Sequence, residues 1–497
     1  MSTISVKQLS FAYPGQKPLF TNCHFDISSD WKLGLLGRNG RGKTTMMKIL
    51  LGQLDYRGTV ESQLNFAYFP LTITDPHQLA GSALLAASNN PNLEQWQIER
   101  ELNLMKTDPG ILWQAYATLS GGEQTKAQLA VLLAQENKFF LLDEPTNHLD
   151  LTGRQLVAAY LKAKRQGLII TSHDQDFLNQ VIDHTLVIER QQLVLEQGNY
   201  ATYSAQKKRR DKAAIHSNQQ LRSTIKNLKK TRQQRLSWAQ RAESEKKHNS
   251  HADKGFIGAK SARMMKKTIT TTNRLSQTIE QRKGLLTEVE EIEPLSINYV
   301  PDHHQTLLTA KNLCLSLDGQ PLFQPLSFAL TVSQQLSLIG PNGAGKTSLI
   351  QALRGQFAGR VTGQLQLAAG LTVSYVRQNF SSNHGSLQTF AATNHLPAEL
   401  LLTILRKLGM ERTSFSVPIE KMSMGQQKKI ELARSLSQKA NLYIWDEPLN
   451  YLDTYNQEQL SQLIRQFRPP LLFVEHDQHF INAVASQQVR IQPLAQR

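Results

Sequence analysis

Three short apolar runs recur along the chain in two matching sets. Lys32-Leu33-Gly34-Leu35-Leu36 and Gln335-Leu336-Ser337-Leu338-Ile339 each stop at a glycine-rich loop. Phe139 to Leu142 and Leu442 to Trp445 are uninterrupted, and Gly167 to Thr171 and Pro470 to Val474 each precede a histidine. Runs of this kind predict parallel strands buried on both faces. Thr45 to Leu51 and Ser348 to Leu353 follow the two loops with helical spacing. The middle of the chain has a different rhythm. Between Tyr203 and Ile292 there is no proline, and the sparse apolar residues fall at helical intervals: Ile215, Leu221, Ile225, Leu228, then Leu275, Ile279, Leu286 and Val289. That narrow stripe predicts two antiparallel helices packed along one seam, with disorder as the alternative for so apolar-poor a segment. The reversal is expected in His248-Asn249-Ser250-His251-Ala252-Asp253-Lys254-Gly255, rich in turn formers. Arms of about 40 residues would reach about 60 Å at 1.5 Å per residue.

The two sets form one long repeat. Lys43 and Lys346, Asp143 and Asp446, and His173 and His476 are each 303 residues apart. A shared offset across separate motifs means a tandem duplication. The expected domains are 1–203, 204–292 and 293–497.

Composition then locates a partner. The chain of 497 residues carries a net charge of +16. Residues 204–292 hold 22 basic and 8 acidic residues, so +14 of that excess rides on the helical segment. Such concentration points to a polyanion, nucleic acid or a membrane surface, against the plainer reading of a solvated face. The two cysteines, Cys23 and Cys314, exclude a disulfide scaffold or thiolate zinc cluster. No stretch has the roughly 18 apolar residues of a membrane span. The first residues lack a signal-peptide pattern, so a cytoplasmic location is expected.

The chemistry sits at the repeated loops. Gly37, Asn39, Gly40, Gly42, Lys43, Thr44 and Thr45 recur as Gly340, Asn342, Gly343, Gly345, Lys346, Thr347 and Ser348, both sets in the pattern Gly-x-x-x-x-Gly-Lys-Thr. Glycines let backbone N–H groups surround phosphates at a helix N-terminus. Lys43 and Lys346 would reach the β- and γ-phosphates of ATP, and Thr44 and Thr347 would bind Mg2+. Asp143 and Asp446 close buried strands, suited to Mg2+. Glu144 and Glu447 follow as candidate general bases. His173 and His476, at the end of the next strand, are placed to meet a γ-phosphate; a lone histidine would more often be structural, and the repetition reverses that reading.

Leu119-Ser120-Gly121-Gly122-Glu123-Gln124 resembles the signature motif of ATP-binding-cassette ATPases, and Met422-Ser423-Met424-Gly425-Gln426-Gln427 is its repeat. Thr146-Asn147-His148-Leu149-Asp150 resembles that superfamily's D-loop. Two cassettes, no membrane span and a basic helical linker together resemble the ABC-F family. The resemblance implies an α/β fold: two P-loop nucleotide-binding domains joined by a long antiparallel helical hairpin. It implies that the cassettes of one monomer close head to tail around two ATP molecules. Ser423 and Gly425 would then complete the first site, and Ser120, Gly121 and Gly122 the second. Tyr13 matches an adenine-stacking aromatic, whose repeat position is Leu317. Gln378 matches the glutamine loop as a ligand of ATP and Mg2+, where the first cassette has Tyr68-Phe69-Pro70-Leu71. Met424 replaces a signature glycine. Two ATP sites of unequal rate are therefore expected.

The same resemblance implies a bacterial 70S ribosome as partner. The arm would occupy the exit site and touch 23S rRNA and P-site tRNA, with no membrane involved. Its tip would comprise Trp238, Lys246, Lys247, Lys254, Phe256, Ile257, Lys260, Arg263 and Met264, with Met265 beside them; the plainer role for any one apolar tip residue is packing within the turn. A compact cassette pair with a long linker looks most like ribosome-protection proteins acting against lincosamides, streptogramin A and pleuromutilins. The alternatives are a translation factor without a drug role, the ATPase subunit of an exporter, and a repair ATPase.

Overall fold

The computed structural model describes residues 3–15, 17–189, 191–248, 254–286 and 292–494. Residues 1–201 and 292–497 form one compact unit, and residues 202–291 form another.

The compact unit contains the two cassettes. In the first, a sheet runs in the order Asn65–Phe69, Lys138–Asp143, Leu168–Thr171, Lys32–Leu36, His184–Glu189, Gln192–Gln197. The first five strands are parallel, and the last pairs antiparallel. The second cassette repeats the parallel part as Val373–Val376, Leu442–Asp446, Leu471–Val474, Gln335–Ile339, Gln487–Arg490. The run Phe139–Leu142 is fully buried, as continuous apolar strands require. Each such side chain contributes about 1.5–3 kcal/mol by leaving water. The strands before His173 and His476 end at Thr171 and Val474, two residues short of the histidines expected to close them. Both histidines therefore sit on loops entering short helices capped by Asp174 and Asp477.

A smaller antiparallel sheet packs on each phosphate-loop helix. Phe20–Ser28, Thr3–Phe11 and Arg57–Glu61 form it in the first cassette. Its long strand bulges at Gln8, with φ 53°, and the counterpart bulges at Asn312, with φ 47°. Counting five residues on from each bulge brings Tyr13 opposite Leu317.

In the second unit, helices span Tyr200–His248 and Lys254–Gly284. Lys254 and Gly255, expected in the reversal, belong to the second helix; Asn249 to Asp253 lie outside the described residues, as does Val289. Arg232 donates to Ser276 at 3.1 Å, which sets the helices side by side and antiparallel. Ile225 and Ile279 of the predicted stripe are buried, with Ile215, Leu221, Leu228, Leu275 and Leu286 half-buried. Asn218 and Thr272 are buried too, so the seam is partly polar. The described residues of this segment up to Gly284 are helical, not disordered. Among the described residues, no helix is long and apolar enough to cross a membrane.

Candidate functional site: two composite nucleotide sites

Both phosphate loops leave a buried strand and enter a helix at Lys43 and Lys346. Gly42 and Gly345 cap these helices at φ 95° and 87°, a region that side chains with a Cβ seldom enter. The lysines fold over their own loops. Lys43 donates to the Gly37 carbonyl at 2.9 Å and to Asn39 at 3.2 Å. Lys346 donates to the Gly340 and Pro341 carbonyls, both at 2.8 Å. The Tyr13 hydroxyl lies 3.2 Å from that of Thr45, placing the ring beside the first loop. Leu317 is 43% exposed on its hairpin and offers no ring.

The carboxylates at the strand ends differ in their surroundings. Asp143 accepts from Thr44 at 2.7 Å, Tyr68 at 3.1 Å and Thr171 at 2.6 Å. Its counterpart Asp446 is fully buried, and among the described residues only the Thr347 hydroxyl approaches it, outside good hydrogen-bond geometry. Burial, with Glu447 alongside, pushes its carboxyl up to about 6, while Lys346, Thr347 and the buried Lys428 favour the charge. An orphaned buried carboxylate beside a threonine hydroxyl fits an ion such as Mg2+.

Glu144 and Glu447 both take left-handed backbone, at φ 53° and 47°. Glu144 lies 3.0 Å from His173 Nε2. Burial pushes Glu144 up to about 7 and drives His173 down to about 3, so the imidazole is neutral. A carboxylate tuned near neutrality suits a general base. Glu447 lies 3.8 Å from His476 and accepts from Asn450 at 2.6 Å; burial drives His476 down to about 4.

Each cassette reaches the other's phosphate loop. The Asn39 backbone donates to Asp453 at 2.8 Å and its amide to the Tyr451 carbonyl at 2.8 Å. A Cβ on Gly425 would lie 3.4 Å from the Asn39 amide and 3.1 Å from the Tyr451 carbonyl, so the second signature stands against the first phosphate loop. In the other direction, Asn342 donates to Asp150 at 3.4 Å and to the His148 carbonyl at 3.0 Å. Gly121 and Gly122 pack on His148. Ser120 and Ser423 each cap their signature helix in a capping box, with Glu123 and Gln426 as partners. These helix N-termini offer positive potential.

The strand register pairs Phe69 with Leu142 and Val376 with Trp445, so Leu71 occupies the place of Gln378. Gln378 is exposed, while its neighbour Arg377 is clamped to buried Glu431 at 2.7 and 2.9 Å. Of the predicted arm-tip residues, Trp238 is 67% exposed and Arg263 is exposed. The side chains of Lys246, Lys247, Lys254, Phe256, Ile257, Lys260 and Met264 lie outside the described ones, as does that of Met265.

Sequence reasoning missed several contributors. Tyr68 and Thr171 are hydroxyl donors whose roles depend on tertiary contact. The cation–π contact of Arg38 over Tyr455, 4.0 Å from the ring centroid, joins residues of opposite cassettes. Lys428 and Glu431 had a usable signal: charged residues on the apolar face of a helix.

Comparison with known proteins agrees with this geometry. The family model described as ABC transporter matches residues 20–147 and 323–450. A protein of Bacillus subtilis named ribosome protection protein VmlR is 26% identical over 95% of this chain and 84% of its own length. The erythromycin resistance ATP-binding protein MsrA of Staphylococcus epidermidis is 27% identical over 92% of this chain and 91% of its own. An archaeal ribosome recycling factor, solved with a ribosomal stalk protein, shares the fold with a TM-score of 0.63 and 17% identity, covering 98% of this chain and 89% of that one. The chain belongs to the ABC transporter family, as an ATPase with two cassettes on one polypeptide.

Proposed function

We propose that this protein is an ATP-dependent ribosome-protection factor. ATP holds the cassettes closed, each phosphate loop facing the opposite signature helix. Thr44 with Asp143, and Thr347 with Asp446 and Gln378, would hold Mg2+, which would supply charge neutralisation at the phosphates. Glu144 and Glu447 activate water, and His173 and His476 meet the γ-phosphate. In the closed state the arm occupies the ribosomal exit site, displaces P-site tRNA, and dislodges lincosamides, streptogramin A or pleuromutilins from the peptidyl-transferase centre.

The observation that carries this reading is the arm itself. Residues 204–292 hold 22 basic and 8 acidic residues on a two-helix hairpin, and Lys208, Arg209, Lys212, Lys226, Lys229 and Lys230 are exposed along it. A thin, cationic rod suits insertion among RNA phosphates. An exporter subunit has no use for it. The names of two relatives, one for ribosome protection and one for erythromycin resistance, add weight.

The test is translation in vitro under lincomycin, with the chain intact and with residues 238–265 replaced by a short turn. The intact chain should restore synthesis, and the shortened one should not while keeping its basal ATPase rate. Ribosome binding without any relief from the drug would favour a translation factor instead.

A further inference from the structure

One helix of the second cassette touches both the first nucleotide site and the residues from which the arm departs and to which it returns. Thr454–Phe467 begins at Asp453, whose one oxygen caps the helix through Asn456 at 2.9 Å. The other oxygen accepts the Asn39 N–H of the first phosphate loop at 2.8 Å. Two residues on, the Tyr455 ring carries the Arg38 guanidinium of the same loop at 4.0 Å. The Tyr455 hydroxyl then accepts the backbone N–H of Glu293 at 3.2 Å. Glu293 is the second residue after the arm segment, which ends at residue 291.

The same region is pinned repeatedly. Gln459, one turn further along, donates to the Glu293 carbonyl at 2.8 Å. Lys407 donates to the Pro294 carbonyl at 2.7 Å, and Arg406 pairs with the Glu293 carboxylate at 3.4 Å. On the outgoing side, Tyr200 is hydrogen-bonded to Thr454, with Glu458 near it. The helix also reaches the first site's histidine loop, where Gln457 donates to the His173 carbonyl at 3.3 Å.

The matching helix of the first cassette, Leu151–Ala163, lacks the residues for such a chain of contacts. Its cap Asp150 meets Asn342 at 3.4 Å instead of 2.8 Å. Thr152 stands where Tyr455 would be, and Pro341 where Arg38 would be. Neither an aromatic ring nor a cation is present at those positions. Among the described residues, the duplicated frame therefore carries this link on one side alone.

We propose that the helix Thr454–Phe467 is a relay through which nucleotide at the first site sets the root of the arm, with Tyr455 as a positioning residue between Arg38 and Glu293. The ring senses the phosphate loop, and the hydroxyl holds the returning chain. ATP drawing the first loop onto the second cassette tightens the Arg38–Tyr455 contact and, through it, the Glu293 amide. This inference rests on ATP binding alone. It stands or falls separately from the ribosomal reading.

The test is hydrogen–deuterium exchange of the backbone segment 292–300 in the full chain carrying Glu144→Gln and Glu447→Gln, with and without ATP. ATP should slow exchange there by about fivefold or more. Adding Tyr455→Phe keeps the ring and removes the hydroxyl. It should cut the slowing to under about twofold while ATP affinity stays within about twofold. Tyr455→Leu removes both and should also weaken ATP binding at the first site by about threefold or more. Full ATP-dependent slowing in Tyr455→Phe, or none in the parent chain, would overturn the proposal. A merely structural tyrosine would change exchange equally with and without ATP.

Discussion

The two nucleotide sites share a backbone and differ in how they hold their central carboxylate. At the first site Asp143 is ringed by three hydroxyls, from Thr44, Tyr68 and Thr171. At the second site Val474 replaces Thr171, Tyr375 faces Arg354 at 4.2 Å, and Asp446 has only the Thr347 hydroxyl near it, outside good hydrogen-bond geometry. Buried ionisable side chains stand there instead, Lys428, Glu431 and Glu475, with burial pushing the Glu475 carboxyl up to about 7. Glu475 accepts the N–H groups of Leu449 and His476 at 2.7 and 2.9 Å, where the first cassette pairs Ser172 with Thr146 at 2.8 Å. One cassette surrounds its carboxylate with hydroxyl groups, the other with buried ionisable side chains that need partners. A duplicated fold thus repeats its strands and loops more faithfully than its polar interior.

That contrast can be broken in descending order of effect. Glu144→Gln and Glu447→Gln should each slow single-turnover hydrolysis at their own site by about 10²–10⁴-fold, the range for losing a general base. Equal rates at the two sites before mutation would remove the asymmetry. Next comes Glu431→Ala, which strips the buried partner from Arg377 and Arg434, each 2.7 Å away. Urea unfolding should show the second cassette losing about 3–5 kcal/mol. The matching Gln128→Ala should cost the first about 1–3 kcal/mol. Burial alone would raise the Glu431 carboxyl, but hydrogen bonds from the two guanidinium groups hold it well below the usual range. Its contribution is therefore complete above about pH 4.3, the unfolded value, and declines only as pH falls further. A destabilisation by Glu431→Ala that is the same in melts at about pH 7 and about pH 2 would contradict this.

Smaller changes exchange the characters of the sites. Thr171→Val removes a hydroxyl from a carboxylate and should destabilise the first cassette by about 1.5–3 kcal/mol. Thermal melts with and without Mg2+ measure it, and an unchanged midpoint would mean Asp143 does not depend on that donor. Tyr13→Leu should weaken ATP at the first site by about 0.5–1.5 kcal/mol, the worth of an aromatic stack, and Leu317→Tyr should strengthen the second by a similar amount. Titration with a fluorescent ATP analogue reads both.

Much of this was legible in the sequence. The buried strands, the phosphate loops and the 303-residue offset between Lys43 and Lys346 are local or periodic signals, and each cassette has its parallel sheet where they predict. The arm's helices were visible in the spacing of Ile225 and Ile279, although its buried Asn218 and Thr272 were not, because polar residues in a seam break no pattern. Two kinds of feature stayed hidden. The hydroxyl ring around Asp143 joins four separate elements, and only the folded sheet brings them together. The Arg38–Tyr455 contact lies between residues 417 positions apart. No spacing rule connects them, since the closing of one cassette on the other creates the pair. The histidines illustrate a milder limit: each was expected to close its strand, yet the apolar run and the strand both stop two residues before it, at Thr171 and Val474.

The central claim is an ATP-closed clamp that presents a basic arm to the ribosome. Sedimentation of the full chain carrying Glu144→Gln and Glu447→Gln with 70S ribosomes tests it most directly. The account predicts pelleting with ATP and little with ADP, lost when residues 238–265 are replaced and weakening steeply as salt rises. Absence of pelleting with ATP at moderate salt, or pelleting that ignores the nucleotide, would contradict it.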